Sequence, residues 1–390
     1  MTHRPPLRLA FTHISSKLWS GGYNYQRNLF AALNRYRRDE FAPVVFAGVS
    51  ADGDDLAAFA AIPKVEVVQA AAFDRRRFGL VSALLTGNDR AALAAFREHN
   101  IDAVIENARF FGWRLPYPAV AWFPDFQHRR LPQLFSPVAR WRRDIGFRVQ
   151  IAAGRIIMLS SQSALEDCEA FYPNMRGKAS VVRFATQPSA ELLTADPLGI
   201  LDQYKLPRSF FYLPNQFWRH KNHQVVIDAL AILASRGLDV VVAASGSKDD
   251  PREPDYFESL ERQVYARALT RNFRYLGMIP MPHVYALLRV CTAMLNPSRF
   301  EGWSTTVEEA KSFGVPMILS DLKVHREQTS GTACYFETDD PLKLADHLAG
   351  FAQNPYPISA RDLLQNLDTR VSTFASDFAQ TVQRAFLSAR

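Results

Sequence analysis

The sequence predicts an α/β protein built from two doubly wound domains, and three observations predict it. Short apolar runs suited to buried parallel strands alternate with segments of helical period along the whole chain. The 390 residues, 48% of them apolar, are enough for two full cores. The alternation also restarts after a stretch of mixed polarity, Thr186–Pro207, whose Pro188 and Pro197 read as an interdomain linker.

In the first half, Leu7–Thr12 is an apolar run that leads through Ser15–Gly22 into a helix from about Tyr23 to Tyr36, with Leu29, Phe30 and Leu33 on one face. Gly21-Gly22 ahead of that helix lets backbone approach a ligand closely, although a tight turn explains the pair as well. It is not a Gly-x-Gly-x-x-Gly fingerprint. Strands follow at Val44–Gly48, Val65–Gln69, Ala103–Glu106 and Ala119–Phe123, with helices at Asp54–Ala61 and Asp89–His99. Asp52-x-Asp54 lies in a polar loop and reads as a helix-start cluster. Ligands of such sheets sit beyond the carboxyl ends of the strands, which is where Asp125 and His128 fall. A polar pair there can orient or deprotonate a hydroxyl; a turn Asp beside a surface His is the alternative. Arg140–Arg155 is an amphipathic helix, Ile156–Leu159 a strand, Ala164–Phe171 a helix and Ser180–Phe184 the last strand of this half.

The second half opens with a strand, Phe210–Leu213, and the loop Pro214–His223 ahead of a helix that buries Val225, Val226, Ala229, Leu230 and Leu233. Arg219 and Lys221 on this loop can neutralise a diphosphate, one as a fork and the other as a point charge. His220 and His223 have metal-ligand spacing but no third ligand. Strands at Val240–Ala244 and Phe273–Gly277 and helices at Tyr256–Ala268 and His283–Arg289 come next. Ala293–Leu295 then runs into Asn296–Ala310, which reads as a strand end, a polar turn and a helix start. Pro297 and Gly302 break the strand, and Ser304 and Thr305 supply N-cap chemistry. Such a turn aims several N–H groups at one spot that suits a phosphate. Glu301 and Glu309 flank it with seven residues between them. Two carboxylates repel a phosphate, so they need a reason, and the hydroxyls of a sugar and a ribose would supply one. A surface turn with a capping Glu is the plainer alternative. Met317–Ser320 is a strand, Asp340–Asn354 holds a helix, and the last helix spans about Leu364–Leu387.

Pro297-Ser298, Glu301-Gly302, Glu309-Ala310 and Gly314-x-Pro316 together resemble the Glu-x7-Glu donor-site signature of retaining glycosyltransferases of family 4, which have the GT-B fold. Trp303-Ser304-Thr305 departs from the usual Phe-Gly-Leu-Pro. The resemblance implies two Rossmann-like domains facing across a cleft, 1–190 for the acceptor and 191–370 for the nucleotide sugar, with a helix at 371–390 crossing back to the first. It assigns Glu309 to the ribose, Arg219 and Lys221 to the diphosphate, and Glu301 to the donor sugar with a catalytic part. Backbone amides around Trp303, Ser304, Thr305 and Thr306 would stabilise the leaving phosphate. Lys221-Asn222 matches the family's Arg-x-x-Lys-Asn segment, while Arg219 stands nearer to Lys221 than the usual arginine. Gly21 and Gly22 would face the diphosphate. In the loop around Asp125, Pro124 occupies the place of the acceptor-side His, so His128 is its substitute candidate. No metal and no cofactor beyond the donor are implied. A non-catalytic module of the same fold, an epimerase and a phosphorylase remain as alternatives.

Charge and composition refine the partners. The net charge of +7 includes Arg75-Arg76-Arg77 and a run from Arg129 to Arg155 opposed by Asp144 alone. A surface of that kind attracts anionic headgroups or a diphosphate-bearing acceptor, and motifs for nucleic acid are missing. Three scattered cysteines point to a reducing compartment without a disulfide framework. The polar start and the lack of an apolar run of about 18 residues predict a cytoplasmic protein, stationed at the inner membrane face if the acceptor is lipid-linked.

Overall fold

The computed structural model describes residues 5–74, 76–107, 109–188, 196–357, 364 and 366–389. The chain forms two compact units, Met1–Ala185 with Asp368–Arg390, and Thr186–Leu367. The first begins β1 (Leu7–Thr12), α1 (Ser20–Tyr36), β2 (Phe41–Ala47), α2 (Gly53–Ala60), β3 (Glu66–Gln69), α3 (Arg76–Thr86) and α4 (Arg90–Glu98). It continues β4 (Ala103–Glu106), β5 (Ala119–Phe123), one helical turn α5 (Gln127–Arg130), α6 (Pro137–Ala152), β6 (Ile156–Leu159), α7 (Gln162–Phe171) and β7 (Ser180–Val181). The strands pair in parallel in the order β3-β2-β1-β4-β5-β6-β7. Helices cover both faces of such a sheet, so its inner strands are apolar on both sides; every residue of β5 is buried. Glu106 at the end of β4 is a buried, charged exception. Arg155 Nε meets its carboxylate at 3.0 Å and the Phe111 N–H donates to it at 2.9 Å.

Helix α1 starts at Ser20, not near Tyr23, so Gly21 and Gly22 lie in its first turn and not in a loop ahead of it. The indole of Trp19 folds back over this turn. It packs so closely that a Cβ on Gly22 would stand 2.4 Å from its ring, and it stacks on Trp122 at 5.3 Å. Helix α6 likewise starts before Arg140, because Ser136 Oγ caps the Ala139 N–H at 3.2 Å and Pro137 fits the first turn.

The second unit runs α8 (Pro197–Gln203), β8 (Phe211–Leu213), α9 (His223–Ser235), β9 (Val242–Ala244), α10 (Tyr256–Ala266), β10 (Phe273–Tyr275) and α11 (Met281–Val290). It then adds β11 (Met294–Asn296), α12 (Thr305–Ser312), β12 (Met317–Ser320), α13 (Lys323–Thr329), β13 (Cys334–Phe336) and α14 (Pro341–Gln353). Helix α8 occupies part of the stretch read as linker, and residues 189–195 of that stretch lie outside the described residues. The parallel sheet has the order β10-β9-β8-β11-β12-β13. Alternate residues feed two cores: Phe211, Leu213, Val242 and Leu295 pack with α9, α10 and α14, while Tyr212, Ala243 and Met294 pack with α11 and α12.

Helix α15 (Leu367–Ser388) returns to the first unit. Val371, Phe374, Phe378 and Val382 recur at helical spacing and are fully buried. The Phe378 ring lies 6.2 Å from Phe11 and 6.4 Å from Phe41, and Phe374 lies 5.7 Å from Tyr25. Arg384 Nη1 donates to Ser180 Oγ at 2.6 Å. Each such side chain, removed from water, contributes roughly 1.5–3 kcal/mol. Among the described residues no helix is long and apolar enough to cross a membrane. Cys168, Cys291 and Cys334 are all free thiols.

Candidate functional site

In the second sheet β8 comes first in the chain, with β9 on one side of it and β11 on the other. The strand order reverses there, and the crevice beyond the strand ends at such a reversal is where doubly wound sheets hold ligands. The segments leaving β8 and β11 therefore meet. One is a 3₁₀ turn, Arg219–Lys221, that hands over to α9 through Asn222. Asn222 has φ +57°, a conformation Asn tolerates, and its amide ties the turn down by donating to Pro297 O at 3.2 Å and Thr338 O at 2.8 Å. The other is the polar turn that ends in α12.

Lys221 and Glu301 are brought together at this point: Nζ donates to Oε1 at 2.6 Å, with the side chains only 14% and 9% exposed. Ser298 Oγ donates to the same oxygen at 2.7 Å and Asn296 Nδ2 approaches it at 3.4 Å. Among the described residues no donor reaches Oε2. Burial by itself would raise the Glu301 pKa, but the Lys221 ammonium and these hydrogen bonds outweigh it and hold the carboxyl down at about 2. Glu301 is thus a buried anion with one oxygen engaged and one still able to accept.

The turn after Glu301 is fixed by side chains. Ser304 is the N-cap of α12, its Oγ accepting the Val307 N–H at 3.4 Å, while Asn296 Nδ2 donates to that same Oγ at 2.8 Å. Gln328 of α13 accepts the Ser304 N–H and donates to the Ser304 carbonyl, both at 3.0 Å. Trp303, Thr305 and Thr306 are half-buried around this cap. Glu309, one turn further on, behaves oppositely to Glu301. Burial pushes its pKa up to about 8, and the hydrogen bond with the Tyr285 hydroxyl opposes this only in part. Arg219 is not in the cluster. Its side chain is 59% exposed and pairs with Glu253 at 3.2 Å. His220 and His223 are buried, and burial lowers both to about 3; the His223 ring stacks on Phe217 at 4.0 Å. Among the described residues no group of three His, Cys, Asp or Glu is placed to hold a metal ion.

The first unit treats its candidates differently. Asp125 follows β5 as expected, but Arg143 Nη2 donates to its Oδ1 at 2.8 Å and the Gln127 N–H at 2.9 Å. His128 is buried against Phe147, and no partner among the described residues meets either ring nitrogen. Burial lowers its pKa to about 4, so it is neutral at pH 7. The run of arginines is largely spoken for: Arg129 and Arg148 pair with Asp144, Arg130 with Asp167, and Arg143 with Asp125. The side chains of Arg75, Arg76 and Arg77 lie outside the described residues. Beside Arg142 and Arg148, α6 also exposes an apolar row. Val138 and Trp141 are each 64% exposed and Ile145 is 39% exposed, at i, i+3 and i+7.

Sequence reading missed Asn296, Ser298, His325 and Gln328. In the sequence Ser298 stands out only as part of a Pro-Ser flank. His325 is fully buried on α13 and bonds the Ser320 carbonyl through Nδ1 at 2.8 Å. Nothing local marks His325 or Gln328, since the topology alone brings α13 beside the turn.

Residues 205–368 match the family model of glycosyl transferases group 1, a segment that contains both β8 and β11. An O-antigen chain mannosyltransferase of Salmonella typhimurium is 25% identical over 158 residues, which is 40% of this chain and 42% of that protein. The chain therefore matches less than half the length of that relative. A glycosyltransferase of Rickettsia africae superposes with a TM-score of 0.68 over 98% of this chain and 97% of its own, at 13% identity. Anabaena HepE, solved in complex with UDP and glucose, gives 0.67 over 97% and 100% at 17% identity. A lipopolysaccharide outer core galactosyltransferase, WaaB, gives 0.60 over 97% and 99% at 14% identity. The fold is GT-B.

Proposed function

We propose that this chain is a retaining, metal-independent glycosyltransferase that moves a sugar from a nucleotide-diphosphate sugar to a saccharide or lipid-linked acceptor in cell-envelope polysaccharide or lipopolysaccharide synthesis. The observation that carries the reading is the Lys221–Glu301 pair at the reversal of the second sheet, with one carboxylate oxygen still free. It lies inside the segment that matches group 1 glycosyl transferases. The sugar relatives named above favour an envelope polysaccharide as the setting.

In this reading Lys221 turns its charge to the diphosphate, and Arg219 joins it from the rim after leaving Glu253. The N–H groups at the start of α12 face the leaving phosphate. Charge builds there as the glycosidic bond breaks, so a fixed cation and fixed dipoles favour the transition state over the ground state. Glu301 Oε2 accepts from a donor-sugar hydroxyl, and Glu309 takes a ribose hydroxyl. Retention follows the Glu-x7-Glu resemblance, with the departing phosphate helping to deprotonate the acceptor. Gly21, Gly22, Asp125 and His128 would lie on the acceptor side. The test is affinity for a panel of UDP-, GDP- and dTDP-sugars. Wild type should bind one of them with a clear thermal shift, and Lys221→Met should weaken that binding by at least about tenfold, the loss of a charge-assisted contact. Equal affinity in both would end the donor assignment. Free nucleotide released slowly from the bound donor would separate an enzyme from a binding module.

The same reading places the protein against the inner face of the cytoplasmic membrane when the acceptor is lipid-linked. With most arginines paired, Val138, Trp141 and Ile145 of α6 are its contact, supported by Arg142. Anionic vesicles should retain wild type and lose Trp141→Glu; equal retention would remove the membrane from the proposal.

A further inference from the structure

Asn296 ends β11 with no exposed surface, and its amide touches both ends of the turn that follows. Oδ1 accepts from the Ser298 N–H at 3.3 Å and from Asn215 Nδ2 at 3.3 Å, and it lies 2.6 Å from Ser298 Oγ, whose single proton it shares with Glu301 Oε1. A backbone N–H can only donate, so this side of the amide must be its oxygen. Nδ2 consequently faces the other way, 2.8 Å from Ser304 Oγ and 3.4 Å from both Glu301 Oε1 and Thr306 Oγ1. One planar group thus spans from the carboxylate before the turn to the cap after it. Gln328 holds the same cap from behind through the Ser304 backbone and reaches Glu308 Oε1 at 3.3 Å.

Resting on the transferase reading, we infer that Asn296 is a positioning residue for sugar transfer, its amide holding the Glu301 carboxylate and the Ser304 cap in register so that both address one diphosphate sugar. An amide suits this place because it donates on one side and accepts on the other. Aspartate has the same shape but no donor. It would force Ser304 Oγ to donate where it now accepts, pulling that proton away from Thr306 Oγ1, and would set a second carboxylate beside Glu301 Oε1. The charged and titratable groups facing Glu301 are Lys221 on the 3₁₀ turn, His325 on α13 and His220. One lysine would then serve two carboxylates, and the proton affinity of Glu301 would rise.

The test uses the full chain as wild type, Asn296→Asp, Glu301→Gln and the double variant. Without any ligand, Asn296→Asp should melt about 4 °C or more below wild type, and adding Glu301→Gln should recover at least about half of that loss. Additive melting shifts would overturn the coupling, whatever the protein does with sugars. With UDP-glucose and GDP-mannose as donor probes, Asn296→Asp should lower kcat by about 100-fold while donor KM moves less than about threefold. Its acid limb should also move upward by about one pH unit, a change that general loosening would not produce. A kcat within about twofold of wild type, or a lower kcat with the acid limb unmoved, would overturn the positioning role. If wild type binds and turns over neither probe while the melting coupling holds, the transferase reading fails and the Asn296–Glu301 link stands.

Discussion

Glu301 and Glu309 stand on the same short stretch of chain, both buried, and their surroundings drive them to opposite states. Around Glu301 a lysine, a serine and an asparagine converge, and the carboxyl stays ionised down to about pH 2. Around Glu309 lies the core of α11 and α12, with the Tyr285 hydroxyl hydrogen-bonded to it, and the carboxyl keeps its proton to about pH 8. Burial is common to both, so burial does not decide charge; the number and kind of donors do. The lesson for function is that two acids in one signature need not share a chemistry. One is built as a fixed negative charge beside a cation, the other as a neutral acid at pH 7.

The contrast can be broken or sharpened in three steps. Lys221→Met removes the cation and leaves Glu301 charged in the interior, which should cost about 3–5 kcal/mol in denaturant unfolding. Adding Glu301→Gln should return most of that loss, and an unchanged midpoint for Lys221→Met would mean the pair is idle. Glu309→Gln should come next. A raised folded pKa gives stability that is complete below the unfolded value of 4.5 and is lost as pH rises through about 8. Glu309→Gln should therefore stay within about 1 kcal/mol of wild type at pH 5 and melt above it at pH 9. Glu301→Gln should do the reverse: the stability that its low pKa supplies is present above 4.5 and lost as pH falls toward 2. Parallel pH–stability curves for the two variants would erase the difference. The smallest effect belongs to Tyr285→Phe. It should cost about 1 kcal/mol, most visibly above pH 8, where the Glu309 carboxylate is charged and has lost the Tyr285 hydroxyl.

Much of this arrangement was legible before any coordinates. Alternating apolar runs and helical periods pointed to the doubly wound units, and the strand-to-helix loop singled out Lys221 as the Glu-x7-Glu resemblance did Glu301, two residues that the β8–β11 reversal brings into contact. What stayed hidden has physical reasons. A Gly-Gly pair reads as a loop, because the residue pattern does not show that the indole of Trp19, three residues ahead, folds back over Gly22 and takes the space a Cβ would need. A run of arginines reads as a cationic surface until Asp125, Asp144 and Asp167 are folded against it. His128 reads as exposed because its neighbours in sequence are polar, yet Phe147 of the next helix covers it. Asn296 was visible at the strand end but silent, since its value lies in partners on three different segments.

The placement of α15 has a consequence for how the chain is made. Phe374 and Phe378 complete the first unit's interior, but a ribosome delivers them after the whole of the second unit. At roughly 5–20 residues per second, the trough around Phe11, Tyr25 and Phe41 waits on the order of 10 to 40 seconds for its cover. The second unit is contiguous in sequence and can close as soon as it emerges. Maturation thus runs against the order of synthesis, and the amino-terminal body keeps an apolar face uncovered until the final helix arrives.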